Sequence, residues 1–226
     1  MNFKKAISFP YLNFKFFIVI LILILIGSIN NSLFTIMLFL LPAIFSGFIG
    51  VKLNKLKSYN SKSINKLLNY SGTSFVSYII FLVIEFISLI VLYIPIMLYM
   101  KTQFVIPSGA FEIFLFLFLI LLFLLVLLIF ELLKHIGLVR YFKKKDFSVI
   151  FEFKNNFKTI FSKDFLVSIL FTIGLLVVYA VGALIILSLI SIFDIVYLTN
   201  FFSYFLILFL IYLILASFYS SFYDIF

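Results

Sequence analysis

The sequence contains no cysteine and no tryptophan, and it has one arginine, one histidine and only 11% charged residues. Without cysteine the chain cannot form disulfides, thiolate metal sites, thiol nucleophiles or cysteine-linked lipid anchors. The patterns G-x-x-x-x-G-K-[ST], H-E-x-x-H and G-x-S-x-G are also missing. We therefore expect no cofactor, no metal site and no enzymatic activity. The one alternative is an intramembrane reaction at Glu85, an acidic residue within a long apolar run, which needs none of these patterns.

Apolar residues dominate what is present. They make up 66% of the 226 residues, aromatic residues make up 21%, and the mean hydropathy is +1.35. A soluble domain is usually about 45–50% apolar and about a quarter charged, so this chain has too little polar surface for a water-exposed globule. The composition predicts an all-α integral membrane protein, with residues 1–226 forming a single membrane domain.

Long apolar runs mark the predicted membrane spans, because a helix needs roughly 20 apolar residues to cross a hydrocarbon core about 30 Å thick. The first run is interrupted by Asn30-Asn31-Ser32, which we interpret as a tight turn between two spans. Together the runs predict six transmembrane helices in three hairpins, at about residues 14–29, 33–51, 75–98, 111–133, 165–190 and 201–218. We interpret span 1 as an uncleaved signal anchor, since no small-residue cleavage site follows it.

Basic residues are segregated between the two sides of this arrangement. Sixteen of the seventeen lie before span 1, between spans 2 and 3 or between spans 4 and 5, and only Lys101 lies on the other side. The positive-inside rule makes the side with sixteen cytoplasmic, so both termini are predicted in the cytoplasm. The net charge of +9 therefore reports orientation, and we expect no nucleic-acid partner.

Residues 146–164 are too polar to span a membrane but have a helical pattern. At 100° per residue the apolar side chains fall within about half of the helix circumference, and they are Phe147, Ile150, Phe151, Phe157, Ile160 and Phe161. This predicts an interfacial amphipathic helix before span 5; the alternative is a solvated connector packed on the bundle. Anionic lipid headgroups are the predicted partner, and the candidate contact residues are Arg140, Lys143, Lys144, Lys145, Lys154 and Lys158.

Glu85 lies near the middle of span 3, where a carboxylate is costly and normally faces the bundle interior. Helical spacing places it on one polar stripe with Tyr78 and Ser88, and these three residues are the intramembrane candidates. Glu85 is interpreted either as a proton- or cation-linked transport site or as a protonated acid bonded to hydroxyls of a neighbouring helix. His135 is interpreted as an interfacial residue near the C-terminal end of span 4.

Prolines and small residues indicate how the spans pack. Pro42 in span 2 and Pro95 in span 3 each remove a helical hydrogen bond that neighbouring helices must replace. The small-xxx-small spacing that lets helices approach closely occurs in span 2, at Ala43 with Gly47 and at Ser46 with Gly50. We interpret these residues as packing features, with a transporter hinge as the alternative.

Several short motifs occur in a recognisable order. Ile7-Ser8-Phe9-Pro10-Tyr11 precedes span 1, Gly47-Phe48 lies near the end of span 2, and Arg140-Tyr141 is followed by Phe147 and Phe151-Glu152-Phe153. In this order the chain resembles domain of unknown function 4013, a family of prokaryotic, largely archaeal, polytopic membrane proteins. The resemblance implies a multi-pass protein of a prokaryotic plasma membrane and implies no activity. Residues 52–70 depart from it, since they are rich in lysine and serine where the family has an acidic loop.

Two functional hypotheses of different class follow. The leading one is a non-enzymatic membrane protein with a structural, membrane-organising or accessory role, whose basic segments bind anionic lipid. The alternative is a small transporter or channel, assembled as a homo-oligomer, with Glu85 at a midplane site.

Overall fold

The computed structural model describes residues 7–11, 14–54, 61–103, 110–191 and 196–223, and every regular element in these ranges is helical. Two short 3-10 helices cover Phe9–Tyr11 and Phe147–Phe151. The α-helices of the described ranges are α1 (Phe14–Gly27), α2 (Asn31–Leu53), α3 (Ser61–Gln103), α4 (Ala110–Lys144), α5 (Phe153–Ile160), α6 (Lys163–Ser191) and α7 (Val196–Tyr223).

Five of these helices contain stretches long and apolar enough to cross a membrane, namely Asn31–Leu53, Asn65–Val91, Ile113–Lys144, Lys163–Ile190 and Leu198–Tyr223. The predicted class, an α-helical membrane protein, is thereby confirmed. The first predicted span corresponds to α1, which has 14 residues. At 1.5 Å per residue α1 is about 21 Å long, which is shorter than a hydrocarbon core of about 30 Å.

The predicted turn between the first two apolar runs is present at residues 28–30. Asn30 is the N-cap of α2, and its side chain accepts a hydrogen bond of 2.7 Å from the backbone N–H of Ser32. An asparagine side chain in this position satisfies one of the first amide groups of the helix, which otherwise has no intrahelical acceptor. The local sequence thus explains why the apolar run divides into α1 and α2, which pack against each other.

Two helices extend well beyond the predicted spans. α3 has 43 residues and α4 has 35, so they are about 65 Å and 53 Å long. Span 4 was predicted to end at residue 133, but α4 continues to Lys144. His135 therefore lies inside α4, nine residues before its last residue Lys144, because the basic residues after it continue the helix instead of ending it.

The buried core lies at one end of the bundle, where Lys143 donates to the Tyr223 carbonyl and Lys52 stands over the Phe9 ring. We call this the basic end. There α2 packs against α1, α3 and α7, and α7 in turn packs against α6. The largest fully buried side chains include Phe45, Phe81, Phe142, Phe165, Tyr219 and Phe222.

Away from the basic end, α3, α4 and α6 expose apolar side chains over much of their circumference. Phe86, Leu121 and Leu184, one on each helix, are each more than 60% exposed. Such surfaces are unfavourable in water but match the hydrocarbon interior of a bilayer. The structure thus has a protein-packed basic end and an opposite end whose helices expose apolar surface suited to a bilayer interior.

Glycines set the closest helix contacts at the basic end, as the small-residue spacing of α2 predicts. A Cβ atom on Gly47 would lie 2.8 Å from the Cα of Ser71 on α3. A Cβ on Gly50 would lie 2.7 Å from the Phe142 ring of α4. Hydrogen is the only side chain that fits between these helices, so α2 is held directly against α3 and α4.

The sequence predicts one interfacial helix at residues 146–164, but the structure has two shorter helices there. The 3-10 helix Phe147–Phe151 begins at Asp146, whose side chain accepts from Ser148 N at 3.0 Å, and α5 begins after Glu152. The side-chain amide of Asn156 donates to the carbonyls of Val149 and Ile150, at 3.3 and 2.9 Å. A continuous α-helix would offer those carbonyls to backbone N–H groups instead, so this side chain stabilises the break. We call residues 147–163 the platform.

Candidate functional site

An apolar crevice of about 370 Å³ opens among α2, α3, α4 and α7. Its walls are mostly apolar side chains from α2, α3 and α7: Leu38, Phe39, Pro42, Phe75, Ile79, Leu82, Ile211 and Leu215. Five polar residues also line it, and they are Tyr78, Glu85, Glu131, Lys134 and His135. A mostly apolar cavity of this size with a few convergent polar groups has the general character of a small-molecule binding site.

Three of the polar residues form a charged cluster on successive turns of α4. Lys134 Nζ lies 2.6 Å from Glu131 Oε1, and His135 Nε2 lies 3.4 Å from Glu131 Oε2. Lys134 is almost fully buried, and its ammonium also stands 4.3 Å from the centre of the Tyr78 ring. The carboxylate and the ring compensate the cost of burying this cation.

The cluster continues into the core as a chain of hydrogen bonds. His135 Nδ1 and the Tyr219 hydroxyl are 2.7 Å apart, and the same hydroxyl lies 3.1 Å from Ser46 Oγ. Ser46 in turn donates to the Pro42 carbonyl at 2.8 Å. This buried chain joins α4, α7 and α2. It ends on a carbonyl, which has no proton to pass on, so its geometry is that of an interhelical connection.

The intramembrane candidates from the sequence separate into two groups. Glu85 and Tyr78 both line the crevice. The Glu85 Oε1 atom is buried without a hydrogen-bond partner among the described residues, whereas the buried Tyr78 hydroxyl interacts with Ser46 and Tyr219. Ser88 instead donates to the Ile84 carbonyl of its own helix at 2.8 Å. The predicted polar stripe therefore contributes two residues to the crevice, and the Ser88 hydroxyl is bonded to the backbone of its own helix, α3.

At the basic end, the platform is tied to α4 through Arg140. Its guanidinium donates to Glu152 Oε2 at 2.6 Å and to the side-chain oxygen of Asn156. Arg140 is only 7% exposed and Asn156 is fully buried. Arg140 was predicted among the headgroup contacts, but its position inside the protein makes it an anchor for the platform.

Glu152 holds its charge firmly at this position. Hydrogen bonds from Asn155 and from Arg140 lower the pKa of its carboxyl below the ordinary value. A carboxyl whose pKa is lower in the folded state contributes stability above its unfolded pKa and loses that contribution as the pH falls through the folded value. The contact between Glu152 and Arg140 is therefore retained at neutral and mildly acidic pH.

The remaining headgroup candidates are exposed: Lys143, Lys144, Lys145, Lys154 and Lys158. On α5, Asn156 and Ile160 face the bundle, while Phe153 and Phe157 are about 40% exposed. At 100° per residue these two phenylalanines lie between the buried stripe and the stripe of Lys154 and Lys158. A helix at a membrane interface places its apolar and basic side chains in this order.

The sequence interpretation missed Glu131, Ser46 and Tyr219. Glu131 had a local signal, because the lysine and the histidine follow it at positions i+3 and i+4, which lie on one helix face. Ser46 and Tyr219 are 173 residues apart and belong to different helices. Nothing local in the sequence connects them.

These features define a helical membrane protein with an ionisable crevice and a basic platform. The chain belongs to the family described as protein of unknown function (DUF4013), whose model matches residues 61–190, more than half of the chain. The matched region runs from α3 to α6 and contains the α4 cluster and the platform. Comparisons with curated proteins and with solved structures give no match.

Proposed function

We propose that this protein is a non-enzymatic, multi-pass membrane protein with a membrane-organising or accessory role, and that its platform binds anionic lipid headgroups. The supporting observation is the platform itself, in which exposed phenylalanines lie beside exposed lysines on a segment anchored from below by Arg140. Each basic residue near an anionic surface contributes about 1 kcal/mol of binding free energy. Lys154 and Lys158 lie on the platform, and Lys143, Lys144 and Lys145 lie beside it at the end of α4. Together these five lysines supply about 5 kcal/mol of attraction toward an anionic leaflet.

The proposal includes an orientation. The basic end faces the cytoplasm of a prokaryotic cell and its plasma membrane, α1 acts as the first of six spans, and both termini are cytoplasmic. The segregation of sixteen of seventeen basic residues supports this orientation. The test is a fusion of the C-terminus to a reporter enzyme that is active only outside the cytoplasm. Activity of that fusion would contradict the proposed orientation.

Platform binding can be measured directly because the chain has no tryptophan. In nanodiscs, the single reporter Phe157→Trp should be quenched more strongly by brominated phosphatidylglycerol than by brominated phosphatidylcholine. Replacing both Lys154 and Lys158 by glutamine removes about 2 kcal/mol of attraction, so the anionic preference should fall by about tenfold or more. High salt should also reduce the preference for anionic lipid, because it screens the attraction between the lysines and the headgroups.

The matched control is Leu121→Trp, at an exposed apolar position of α4 away from the basic end. Its quenching should not depend on headgroup charge. Equal quenching of the Phe157→Trp reporter by both lipids would show that the platform does not bind anionic headgroups.

A second candidate function is a small transporter or channel, working as a homo-oligomer. The observation that favours it is that Glu85 shares its crevice with Glu131, Lys134 and His135, which supply the ionisable partners that Glu85 lacks on its own helix. Intramembrane ionisable residues with such partners commonly mark ion pathways.

For this second candidate, Glu85→Gln should abolish proton- or ion-coupled flux in proteoliposomes, because the amide has the shape of the acid but cannot exchange a proton. Expression and folding should be unchanged. Asp164→Asn, which changes an exposed carboxyl at the start of α6, is the matched control and should leave flux unaltered. Equal flux in both variants would reject a transport site at Glu85.

A further inference from the structure

The crevice is a binding site, and its chemistry defines a ligand class. We infer that it binds an amphiphile with a primary ammonium headgroup, which pairs with Glu85 while its hydrocarbon chain lies against α2 and α3. This assignment concerns binding within the membrane and requires neither transport nor attachment of the platform to lipid.

The crevice is accessible from the lipid side. Phe39, Ile79 and Leu82 line it and are each about half or more exposed on the surface of α2 and α3. Lys134 and Leu215, by contrast, are almost fully buried at its inner end. A ligand can therefore enter sideways from the bilayer, with its headgroup toward the buried polar residues and its chain along the exposed apolar walls. The volume of about 370 Å³ falls in the range of about 300–1,000 Å³ typical of small-molecule sites.

The buried polar groups of the crevice call for a hydrogen-bond donor. Glu85 Oε1 is buried without a hydrogen-bond partner among the described residues. Pro42 has no amide hydrogen, so the Leu38 carbonyl, one turn earlier in the same wall, cannot receive its usual helical hydrogen bond. Both groups, the Glu85 oxygen and the Leu38 carbonyl, can accept a hydrogen bond. Leaving such groups unpaired is costly, and a ligand with several N–H donors relieves that cost.

Charge complementarity selects an ammonium over an anionic headgroup. Two carboxyl groups line the crevice, and the Lys134 ammonium is already engaged by Glu131 at 2.6 Å. A phosphate or sulfate would find no free cation in the crevice, because Lys134 is already paired with Glu131, and its charge would stay uncompensated in a medium of low dielectric constant. A primary amine can take the proton of Glu85, which gives the resulting ammonium a carboxylate partner and supplies N–H donors to the unpaired acceptors.

Binding transfers one proton from Glu85 to the amine and needs no further reactant. A carboxyl without a charged partner at membrane depth is favoured in its neutral, protonated form. An amine that enters in its neutral form takes this proton from Glu85, so one O–H bond breaks as one N–H bond forms. The product is an ammonium–carboxylate pair with no change in total charge. Such a pair costs less to hold at membrane depth than either ion alone.

The test uses the full-length protein in phosphatidylcholine nanodiscs with dodecylamine as the probe. Dodecylamine should bind saturably, whereas dodecyltrimethylammonium, which has the same chain but no N–H donor, should bind about tenfold more weakly or worse. Dodecyl sulfate should not bind at this site. Glu85→Gln should weaken dodecylamine binding about ten- to a hundredfold, and Asp164→Asn should leave it unchanged.

A second variant guards against misfolding of Glu85→Gln. Leu82→Trp places a large side chain at an exposed wall position of the crevice without entering the core, and it should block dodecylamine binding while the protein stays folded.

Native mass spectrometry from phosphatidylethanolamine discs distinguishes the source of the ammonium. Retention of that lipid in a Glu85-dependent manner assigns the ligand to the bilayer, and binding of dodecylamine alone assigns it to a free amine. If neither binds in a Glu85-dependent manner, the inference is wrong.

Discussion

Replacement of Asn156 by leucine is expected to destabilise the protein by about 3 kcal/mol and to release the platform from the bundle. Asn156 is fully buried and bonds to Arg140 and to the carbonyls of Val149 and Ile150. Leucine fills a similar volume but makes none of these bonds. Each buried polar group left without a partner costs about 1–3 kcal/mol, and the substitution removes the side-chain donor of both carbonyls. It also removes one acceptor of the Arg140 guanidinium, which keeps its hydrogen bond to Glu152.

The neighbouring Asn155 provides a matched control, because it has the same side chain but is exposed. Asn155→Leu should change stability by no more than about 0.5 kcal/mol. Unfolding by SDS titration in mixed micelles measures both variants, and hydrogen exchange at residues 147–160 reports whether the platform opens before the bundle. If the two substitutions had equal effects, Asn156 would not be the residue that attaches the platform.

Gly47→Ala is expected to destabilise the contact between α2 and α3 by about 1–3 kcal/mol or more. The added methyl group would lie 2.8 Å from the backbone of Ser71, and a backbone atom cannot move aside as a flexible side chain can. The two helices would have to separate along their closest line of contact. Since the buried Ser46 also lies on α2, the hydrogen bond between Ser46 and Tyr219 should weaken as well.

Gly72→Ala is the control for this prediction, and it should have the opposite sign. Gly72 directly follows Ser71 on α3, yet a Cβ there would meet nothing within 4 Å. Replacing a helical glycine by alanine in open space stabilises a helix by about 0.5–1 kcal/mol, because the unfolded chain loses conformational freedom. Thermal unfolding in detergent should therefore shift in opposite directions for the two variants. Shifts of the same sign would contradict the close contact between α2 and α3.

Much of the architecture follows from patterns that are local in the chain. A membrane helix must satisfy its backbone within one segment, so long apolar runs report spans without knowledge of the rest of the fold. The Asn30 turn, the small residues of α2 and the amphipathic character of the platform were all visible in this way. Helix ends were predicted less well, since α4 continues through basic residues that can form helix as readily as apolar ones.

The candidate site depended on contacts between segments that are distant in sequence. Glu85 is a notable residue in the sequence, but only the packing of α3 against α4 places it in one crevice with Glu131, Lys134 and His135. Arg140 carries the same charge as its lysine neighbours, and the sequence does not distinguish a headgroup contact from a buried anchor. The sequence by itself determined the helical membrane class, because hydropathy and helical period are local properties. Tertiary structure decided which polar groups are buried together, because burial depends on the neighbouring helices that exclude lipid and water.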